Sequence, residues 1–488
     1  MRARLPGPGI ALNVLARAAL RRRPRDPIVS QTDFSTLPLN PDLLSNLASL
    51  DYHQMTPIQA SSLPDILAGR DVIGQGKTGS GKTAAFGLGV LNKLDVKRFR
   101  VQTLVLCPTR ELADQVAKEL RKLARSIHNI KILTLCGGMP FGPQIGSLEH
   151  GAHIVVGTPG RIEEHLRKGT LILENVDTLV LDEADRMLDM GFQPALDAIL
   201  AYVPKSRQTL LFSATFPDQI KQLADYIMVD PLVVKVEARH DSNSIAQSLF
   251  RVGTDDNRLD ALLRLLAHHQ PVSAVVFCNT RAETLDVADA LNAAGHSAIA
   301  LNGDLDQRQR DESLVTFANK SVSVLVATDV AARGLDIEDL DAVINYRMAL
   351  DPEIHVHRIG RTGRAGSQGI ACTLFSDREG HRLADLEGYL NTVFEPEALP
   401  AAVHAHYRPQ PAPMITVQID GGKKQKVRPG DVLGALTGEQ GIDGSEVGKI
   451  SVFDQCTYVA VARGARKRAV DKLGRGRIKG RSFRVRVV

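Results

Sequence analysis

Apolar residues along this chain fall in short unbroken runs, not in alternation with polar ones. Between residues 71 and 214 the runs DVIG, TLVLC (103–107), ILTLC (132–136), HIVVGT (153–158), TLVLDEA (178–184) and TLLFSA (209–214) are separated by helix-like segments. Strands with Val, Ile and Leu at consecutive positions are buried on both faces, as in a mostly parallel sheet covered by helices. The pattern predicts a doubly wound α/β lobe. After a Pro- and Asp-marked stretch around residues 230–247, the rhythm restarts with AVVFCNT (274–280), SAIALNG (297–303), VSVLVATD (322–329), DAVINY (341–346) and IACTLFS (370–376), which predicts a second α/β lobe. Residues 395–413 hold five prolines without periodicity and read as a linker. The remainder reads as strand Ile415–Ile419, helix Pro429–Thr437, strands Val447–Phe453 and Tyr458–Ala462, helix Gly464–Leu473 and strand Ser482–Val488. That βαββαβ order is the ferredoxin-like pattern. The expected divisions are a basic extension (1–30), a first lobe (31–232), a second lobe (245–395), a linker (396–413) and a small terminal domain (414–488).

Composition agrees with about three domains, since 488 residues exceed a single ordinary one. With 43% hydrophobic and 24% charged residues, the chain has the make-up of a globular protein that buries sizeable cores. No apolar run approaches the ~20 residues of a membrane span, so a soluble cytoplasmic chain with no membrane partner is expected. Its five cysteines stand singly, with no metal-ligand spacing, and read as buried free thiols. Residues 1–25 carry seven arginines and no acid, and read as a basic extension, or as the product of a start codon assigned too far upstream, rather than as a targeting peptide, because no small-residue cleavage site precedes Arg21-Arg22-Arg23. Charge is unevenly spread. Residues 414–488 hold sixteen Lys/Arg against seven Asp/Glu, a balance of +9, whereas residues 26–413 sum to −11. A basic domain on an acidic body predicts a polyanionic partner for that domain.

The clearest chemistry is Gly76-Lys77-Thr78-Gly79-Ser80-Gly81-Lys82-Thr83, which fits G-x-x-x-x-G-K-T between an apolar strand and a helix. Glycines let backbone amides turn inward around phosphate oxygens at the positive end of a helix. Lys82 is placed to reach the β- and γ-phosphates, and Thr83 to ligate Mg²⁺. About a hundred residues on, the buried run TLVLDEAD ends in Asp182-Glu183-Ala184-Asp185. Asp182 is expected to hold the Mg²⁺ and Glu183 to orient and deprotonate the attacking water. An acidic helix start is the alternative for this string taken alone, and the neighbouring phosphate loop argues against it.

The order of the surrounding motifs resembles the DEAD-box RNA helicases over about residues 34–390. Phe34 followed by Tyr52-His53-Gln54-Met55-Thr56-Pro57-Ile58-Gln59 resembles the family's Q motif. The resemblance implies that Gln59 reads the adenine edge while Phe34 stacks on the base, and hence that the nucleotide is ATP. Arg110 in Pro108–Ala113, Gly138 beside Gly137, and Thr158-Pro159-Gly160-Arg161 match positions where the family's first lobe grips the RNA backbone. Ser213-Ala214-Thr215 resembles the motif that couples hydrolysis to strand separation, with Asp185 as its partner. In the second lobe Asp304, Gln307, Arg310 and Thr328 resemble further RNA contacts, and Gly334 and Asp336 fall in a motif implied to touch the nucleotide. His357-Arg358-Ile359-Gly360-Arg361-Thr362-Gly363-Arg364 closes the set. The resemblance places His357, Arg361 and Arg364 in the catalytic group, the two arginines as fingers that stabilise the transferring phosphoryl when the lobes close. It also implies RecA-like folds for both lobes. Gly76, Lys77 and Asn302 depart from the family's usual alanine, glutamine and histidine.

The terminal domain carries eleven basic residues between Arg463 and Arg486, among them Arg466, Lys467 and Arg468, opposed only by Asp471. Such density predicts salt-sensitive RNA binding. As an RNA-recognition-motif-like fold it lacks stacking aromatics, its third strand offering Tyr458 alone, so contacts are expected from loops, helix and basic tail. Two helicase lobes followed by this domain resemble the bacterial DbpA-type subgroup. The supporting strings are Lys77, Ala84–Leu88 and Val447-Gly448-Lys449-Ile450. That resemblance implies a monomer that unwinds short RNA duplexes with ATP during large-subunit assembly, tethered to 23S ribosomal RNA. An ATP-gated RNA clamp, a general RNA chaperone and a DNA helicase are the alternatives. A clamp needs neither the base Glu183 nor the arginine fingers.

Overall fold

The computed structural model describes residues 32–76, 79–236, 245–332, 340–363, 369–404, 406–439 and 441–488. The expected extension 1–30 and the site residues Lys77, Thr78, Gly334, Asp336 and Arg364 lie outside them. The chain forms two compact units that divide near residue 237.

The first unit is built on seven parallel strands: β1 (Val72–Gln75), β2 (Thr103–Leu106), β3 (Ile132–Leu135), β4 (Ile154–Gly157), β5 (Thr178–Asp182), β6 (Gln208–Ser213) and β7 (Leu232–Lys235). Their order across the sheet is β3-β4-β2-β5-β6-β1-β7. Leu104, Leu106, Val155, Leu179, Leu181 and Leu211 pack beneath helices that contribute Ile162, Leu166, Met187, Leu196 and Ile220. Helix Lys82–Lys93 follows β1, and helix Pro57–Leu67 precedes it with a capping box between Thr56 and Gln59.

The second unit begins with six parallel strands: β8 (Ile245–Gly253), β9 (Ala274–Cys278), β10 (Ala298–Leu301), β11 (Val324–Thr328), β12 (Ala342–Asn345) and β13 (Gly369–Ser376). Their order is β10-β11-β9-β12-β13-β8. The run AVVFC shows why apolar residues are consecutive here: Ala274, Val276 and Cys278 join one core, while Val275 and Phe277 join another on the opposite face. Residues 396–413, read as a linker, run along this lobe. The Glu397 N–H donates to the Leu249 carbonyl at 2.8 Å, and the Tyr407 ring lies 6.4 Å from that of His296.

The terminal domain holds β14 (Met414–Ile419), β15 (Val447–Val452), β16 (Thr457–Ala462) and β17 (Val485–Val487) in the antiparallel order β15-β16-β14-β17, with helices Pro429–Thr437 and Arg466–Arg475. Ile415, Val417, Ile419, Val459 and Val461 face those helices. The alternate positions Thr416, Gln418 and Tyr458 are also covered. Thr416 Oγ1 accepts from Asn319 Nδ2 at 3.0 Å and is hydrogen-bonded to Ser321 Oγ at 2.7 Å, while Arg486 Nη2 and the Tyr458 hydroxyl reach Glu312 at 3.1 and 3.5 Å. The sheet face of this domain therefore rests on the second lobe. No helix among the described residues is long and apolar enough to cross a membrane.

Candidate active site

β5, β6 and β1 are neighbours, and the phosphate loop, the acidic string and Ser213–Thr215 all leave their carboxyl ends together. Ligands of open parallel sheets bind at that edge, where helix N-termini and loops converge. The phosphate loop is tied down from two sides. The Gly76 N–H donates to the Ser213 carbonyl at 3.0 Å, and Thr56 Oγ1 donates to the Ser80 carbonyl at 2.8 Å. Gly81 has φ +94°, and a Cβ there would lie 2.5 Å from Gln59 Nε2, so both backbone and space call for glycine. At Gly76 a Cβ would meet Ile58 Cδ1 and Ser80 Oγ at 3.0 Å, so this departure from alanine is matched by tighter surroundings.

Gln59 is buried. Its Oε1 accepts from the Thr56 N–H at 2.9 Å and its Nε2 donates to the Gly81 carbonyl at 3.1 Å. A carboxamide keeps one further lone pair and one further N–H, the pair an adenine edge requires. Phe34 is only 3% exposed and packs edge-on to Tyr52 at 6.4 Å, so the ring assigned to base stacking is covered in this state. The T-x-x-Q spacing of Thr56 and Gln59 is a readable capping signature, and it marks Thr56 as the residue that links this helix to the phosphate loop.

Lys82 is buried and its Nζ donates to the Gly76 carbonyl at 2.5 Å. Burial lowers its pKa against the pull of Asp182, Glu183 and Asp185. Burial likewise pushes Asp182 up to about 7, with Lys82 opposing. Asp182 Oδ1 is buried and accepts no hydrogen bond from the described residues. An orphaned carboxylate oxygen beside a phosphate loop suits Mg²⁺, which takes one or two carboxylates and completes its shell with phosphate and water. Glu183 adopts a left-handed conformation (φ 53°) as it caps helix Ala184–Asp189, and its Oε2 accepts from Arg186 Nη1 at 2.9 Å. Glu183 thus takes the helix-start position, although its side chain makes no capping hydrogen bond. Arg186 was not singled out from sequence; its i, i+3 spacing to Glu183 was the available signal. Burial alone would raise Asp185, but the Thr215 N–H and hydroxyl, each donating at 2.9 Å, hold it below its ordinary range.

The RNA-assigned loops of the first unit leave the same sheet edge. Gly137 and Gly138 follow β3, and Thr158, Pro159, Gly160 and Arg161 follow β4. Gly138 has φ +70°, and Gly160 has open space where a Cβ would stand. Arg161 Nη1 donates to the Met139 carbonyl at 2.9 Å, which joins the two loops. Arg110 opens helix Arg110–Leu123 after β2.

In the second unit, Gln307 starts helix Gln307–Ala318 and donates to Asp311 at 2.7 Å, Arg310 Nη2 donates to the Ala331 carbonyl at 2.7 Å, and Asp304 pairs with Arg281 at 2.6 Å. Asn302 is buried, donates to Thr284 and accepts from the Asp304 N–H at 3.0 Å, so an amide suffices where the family uses histidine. Thr328 ends β11. His357 lies on helix Pro352–Ile359, and Arg361, buried, follows it. Arg358, in the same string, is structural. Its Nε and Nη2 fork onto Asp329 at 2.6 and 2.7 Å, and Asn279, Asn345 and the Arg347 carbonyl take further bonds.

On the terminal domain, Arg463 Nε donates to the Ala412 carbonyl at 2.6 Å and Arg468 pairs with Glu446 at 2.6 Å, while Arg466 and Lys467 are exposed and pair with no described residue. Tyr458 is 1% exposed, so it offers no face for a base. Four cysteines are buried as expected, but Cys456 is half-buried on a turn between strands.

Residues 56–223 match the DEAD/DEAH box helicase model, 257–366 the helicase conserved C-terminal domain and 416–487 the DbpA RNA binding domain. The chain is 53% identical over 458 residues to the ATP-dependent RNA helicase DbpA of Escherichia coli (strain K12), covering 94% of this chain and 100% of that one. It is 46% identical over 356 residues to the DEAD-box ATP-dependent RNA helicase CshA of Bacillus cereus, covering 73% of this chain and 68% of that one. Among solved structures it resembles S. cerevisiae Dbp5 bound to RNA and ADP BeF3, with 30% identity and a TM-score of 0.69, over 76% of this chain and 96% of that one.

Proposed function

The chain belongs to the DEAD-box family of ATP-dependent RNA helicases, and from that premise we propose that it acts in assembly of the large ribosomal subunit, tethered to 23S ribosomal RNA by its terminal domain. The observation that carries this is the terminal domain itself: its sheet face is spent on the second lobe, while Arg466 and Lys467 stand exposed on the helix side. A positively charged helix with no platform for stacking suits a structured RNA held through phosphates and shape rather than an extended single strand. The tether raises the local concentration of the helicase lobes at their duplex.

At the nucleotide, Gln59 selects adenine, and the loop Gly76–Thr83 cradles the phosphates. Asp182 and Thr83 hold the Mg²⁺, which neutralises phosphate charge when bound. Glu183 orients and deprotonates the attacking water. Arg361 and Arg364 stabilise charge on the transferring phosphoryl, with His357 beside them in sequence. Asp185, bonded to Thr215, carries the coupling to RNA. Arg110, Gly138, Thr158–Arg161, Gln307, Arg310 and Thr328 grip one RNA strand. The reading places the protein in the cytoplasm as a monomer.

Steady-state ATP hydrolysis measured without RNA, with generic RNA and with a large-subunit ribosomal RNA fragment tests this, for the full chain and for a chain ending at Pro400. Selective stimulation by the ribosomal fragment, lost on truncation, is the expected result. Equal stimulation by every RNA, unchanged by truncation, would leave a helicase without ribosomal address.

A further inference from the structure

The segments Gly137–Met139 and Thr158–Arg161 leave paired strands, with Leu135 opposite Gly157; the Thr158 N–H donates to the Leu135 carbonyl at 3.2 Å, and Pro159–Arg161 form the first turn of helix Pro159–Arg167. Met139 is 46% exposed, and Gly137 and Gly160 have no neighbour where a Cβ would stand. Behind them runs a chain of polar groups from the end of β3 to the turn after helix Pro159–Arg167. Gln144, on helix Phe141–Glu149, donates from Nε2 to the Cys136 carbonyl at 3.0 Å. Its Oε1 lies 3.1 Å from His165 Nε2, and His165 Nδ1 lies 2.8 Å from Thr170 Oγ1. Gln144 and His165 are 8% and 0% exposed.

The directions of these bonds follow from one another. The Cys136 carbonyl can only accept, so Gln144 Nε2 faces it and Oε1 faces the imidazole; His165 Nε2 must then carry the proton. Burial, with Arg161 nearby, lowers the His165 pKa to about 4, so the ring is neutral and Nδ1 is an acceptor; the one Thr170 hydroxyl proton lies between it at 2.8 Å and the His165 carbonyl at 3.1 Å. The ring also stacks on Phe141, with centroids 4.2 Å apart and planes 20° apart, and the Lys168 ammonium sits 4.0 Å from the Phe141 centroid. Apolar side chains of similar volume would fill this space without desolvating an amide and an imidazole. What the polar chain adds is a single register, because each bond fixes the next.

We propose that Gln144, His165 and Phe141 are positioning residues for RNA: they hold the Gly137–Met139 and Thr158–Arg161 loops at the mutual spacing needed to take phosphates of one strand. The inference rests on the reading that those loops contact RNA. Arg161 belongs to both layers, since it bonds Met139 and lies 5.4 Å from the Phe141 centroid. An error of about 1 Å between two phosphate grips lowers affinity without touching the nucleotide site.

The test is RNA-stimulated ATP hydrolysis by the full chain, titrated separately with RNA and with ATP. His165→Phe keeps ring area and removes the bonds to Gln144 and Thr170; Gln144→Leu removes the bonds to Cys136 and His165; His165→Gln restores an Nε2 donor. His165→Phe and Gln144→Leu are expected to raise the half-saturating RNA concentration about tenfold with the KM for ATP unchanged, and His165→Gln to recover most of the loss. Phe141→Ala, at a half-buried ring, gives the same answer if a buried variant fails to fold. Arg161→Ala separates the two layers. If it raises half-saturating RNA while the other variants do not, the positioning role is wrong and the loop assignment stands. If it too has no effect, the loops do not grip RNA and both fall. A parallel rise in the KM for ATP with a lowered Tm would mean a purely structural role and overturn the inference.

Discussion

Glu183 combines three features seldom found together: a left-handed backbone, burial, and a guanidinium 2.9 Å from its carboxylate. A non-glycine residue held at positive φ costs on the order of 1 kcal/mol, and such outliers concentrate where a side chain must be aimed. Here the carboxylate at the end of β5 is held by Arg186 and lies close enough to Lys82 to oppose the effect of burial on that lysine. Glu183→Gln keeps shape and loses the base, so kcat for ATP is expected to fall by about 100-fold or more while ATP still binds; equilibrium binding and single-turnover hydrolysis check the split. His355 makes a different prediction. It is buried in the second lobe with neither ring nitrogen hydrogen-bonded to a described residue, and burial, then Arg358, lowers its pKa to about 4. The unfolded chain, with an ordinary histidine pKa near 6.5, binds the proton first, so this contribution is full above about pH 6.5 and is lost as pH falls toward 4. The cost reaches about 3 kcal/mol at the acid end. Chemical denaturation of the full chain at pH 7.5 and 5 should show a smaller pH difference for His355→Leu than for the parent; equal differences would refute the assignment.

At the scale of elements, the terminal domain docks through a hydroxyl that a surface would not need. Thr416, fully buried, serves both Asn319 and Ser321. Thr416→Val leaves their polar atoms unpaired at a cost of about 1–3 kcal/mol, so the domain should loosen from the second lobe without unfolding. Hydrogen exchange at the Met414 amide, which donates to the Lys320 carbonyl at 3.3 Å, should quicken, and unchanged protection would sink the idea. This docking was not legible in sequence, because Thr416, Gln418 and Tyr458 alternate with Ile415, Val417 and Val459 as a solvated face would. Sequence also passed over β7 and β8. Both are edge strands with patchy burial: β8 has no unbroken apolar run of the kind found in β2 or β9, and the short run Leu232-Val233-Val234 of β7 falls in the Pro- and Asp-marked stretch that reads as a boundary. The inner strands of both lobes and the βαββαβ order were readable for the opposite reason: their pattern is set by burial within the element itself. The same division holds at the candidate site. Lys82, Asp182 and Ser213 sit in local strings with their own geometry, whereas the bonds from Gln59 to Gly81 and from Gln144 to His165 join positions about twenty apart, and no local pattern announces them.

For the whole molecule, charge decides where RNA is drawn first. The segment 26–413 carries −11, the terminal domain +9 and residues 1–25 +7, so a polyanion meets net repulsion from the segment 26–413 and attraction from the domain. Part of that positive charge is already engaged: Arg468 pairs with Glu446, Lys479 with Asp431 and Arg486 with Glu312. Arg466 and Lys467 remain among the exposed cations, and the acidic partners screen rather than cancel the rest. If the domain neutralises about four phosphates, removing it at Pro400 should flatten the slope of log Kd against log salt by about 3. Binding titrations from low to moderate KCl, on one structured RNA, measure that slope directly. A truncation that weakened binding equally at every salt would show the domain contributing through shape or apolar contact instead. Arg466→Ala with Lys467→Ala should remove about two phosphate contacts and a matching part of the slope while leaving Thr416 docking intact, since neither residue faces the second lobe. The two changes therefore separate what the domain does for RNA from what it does for the fold.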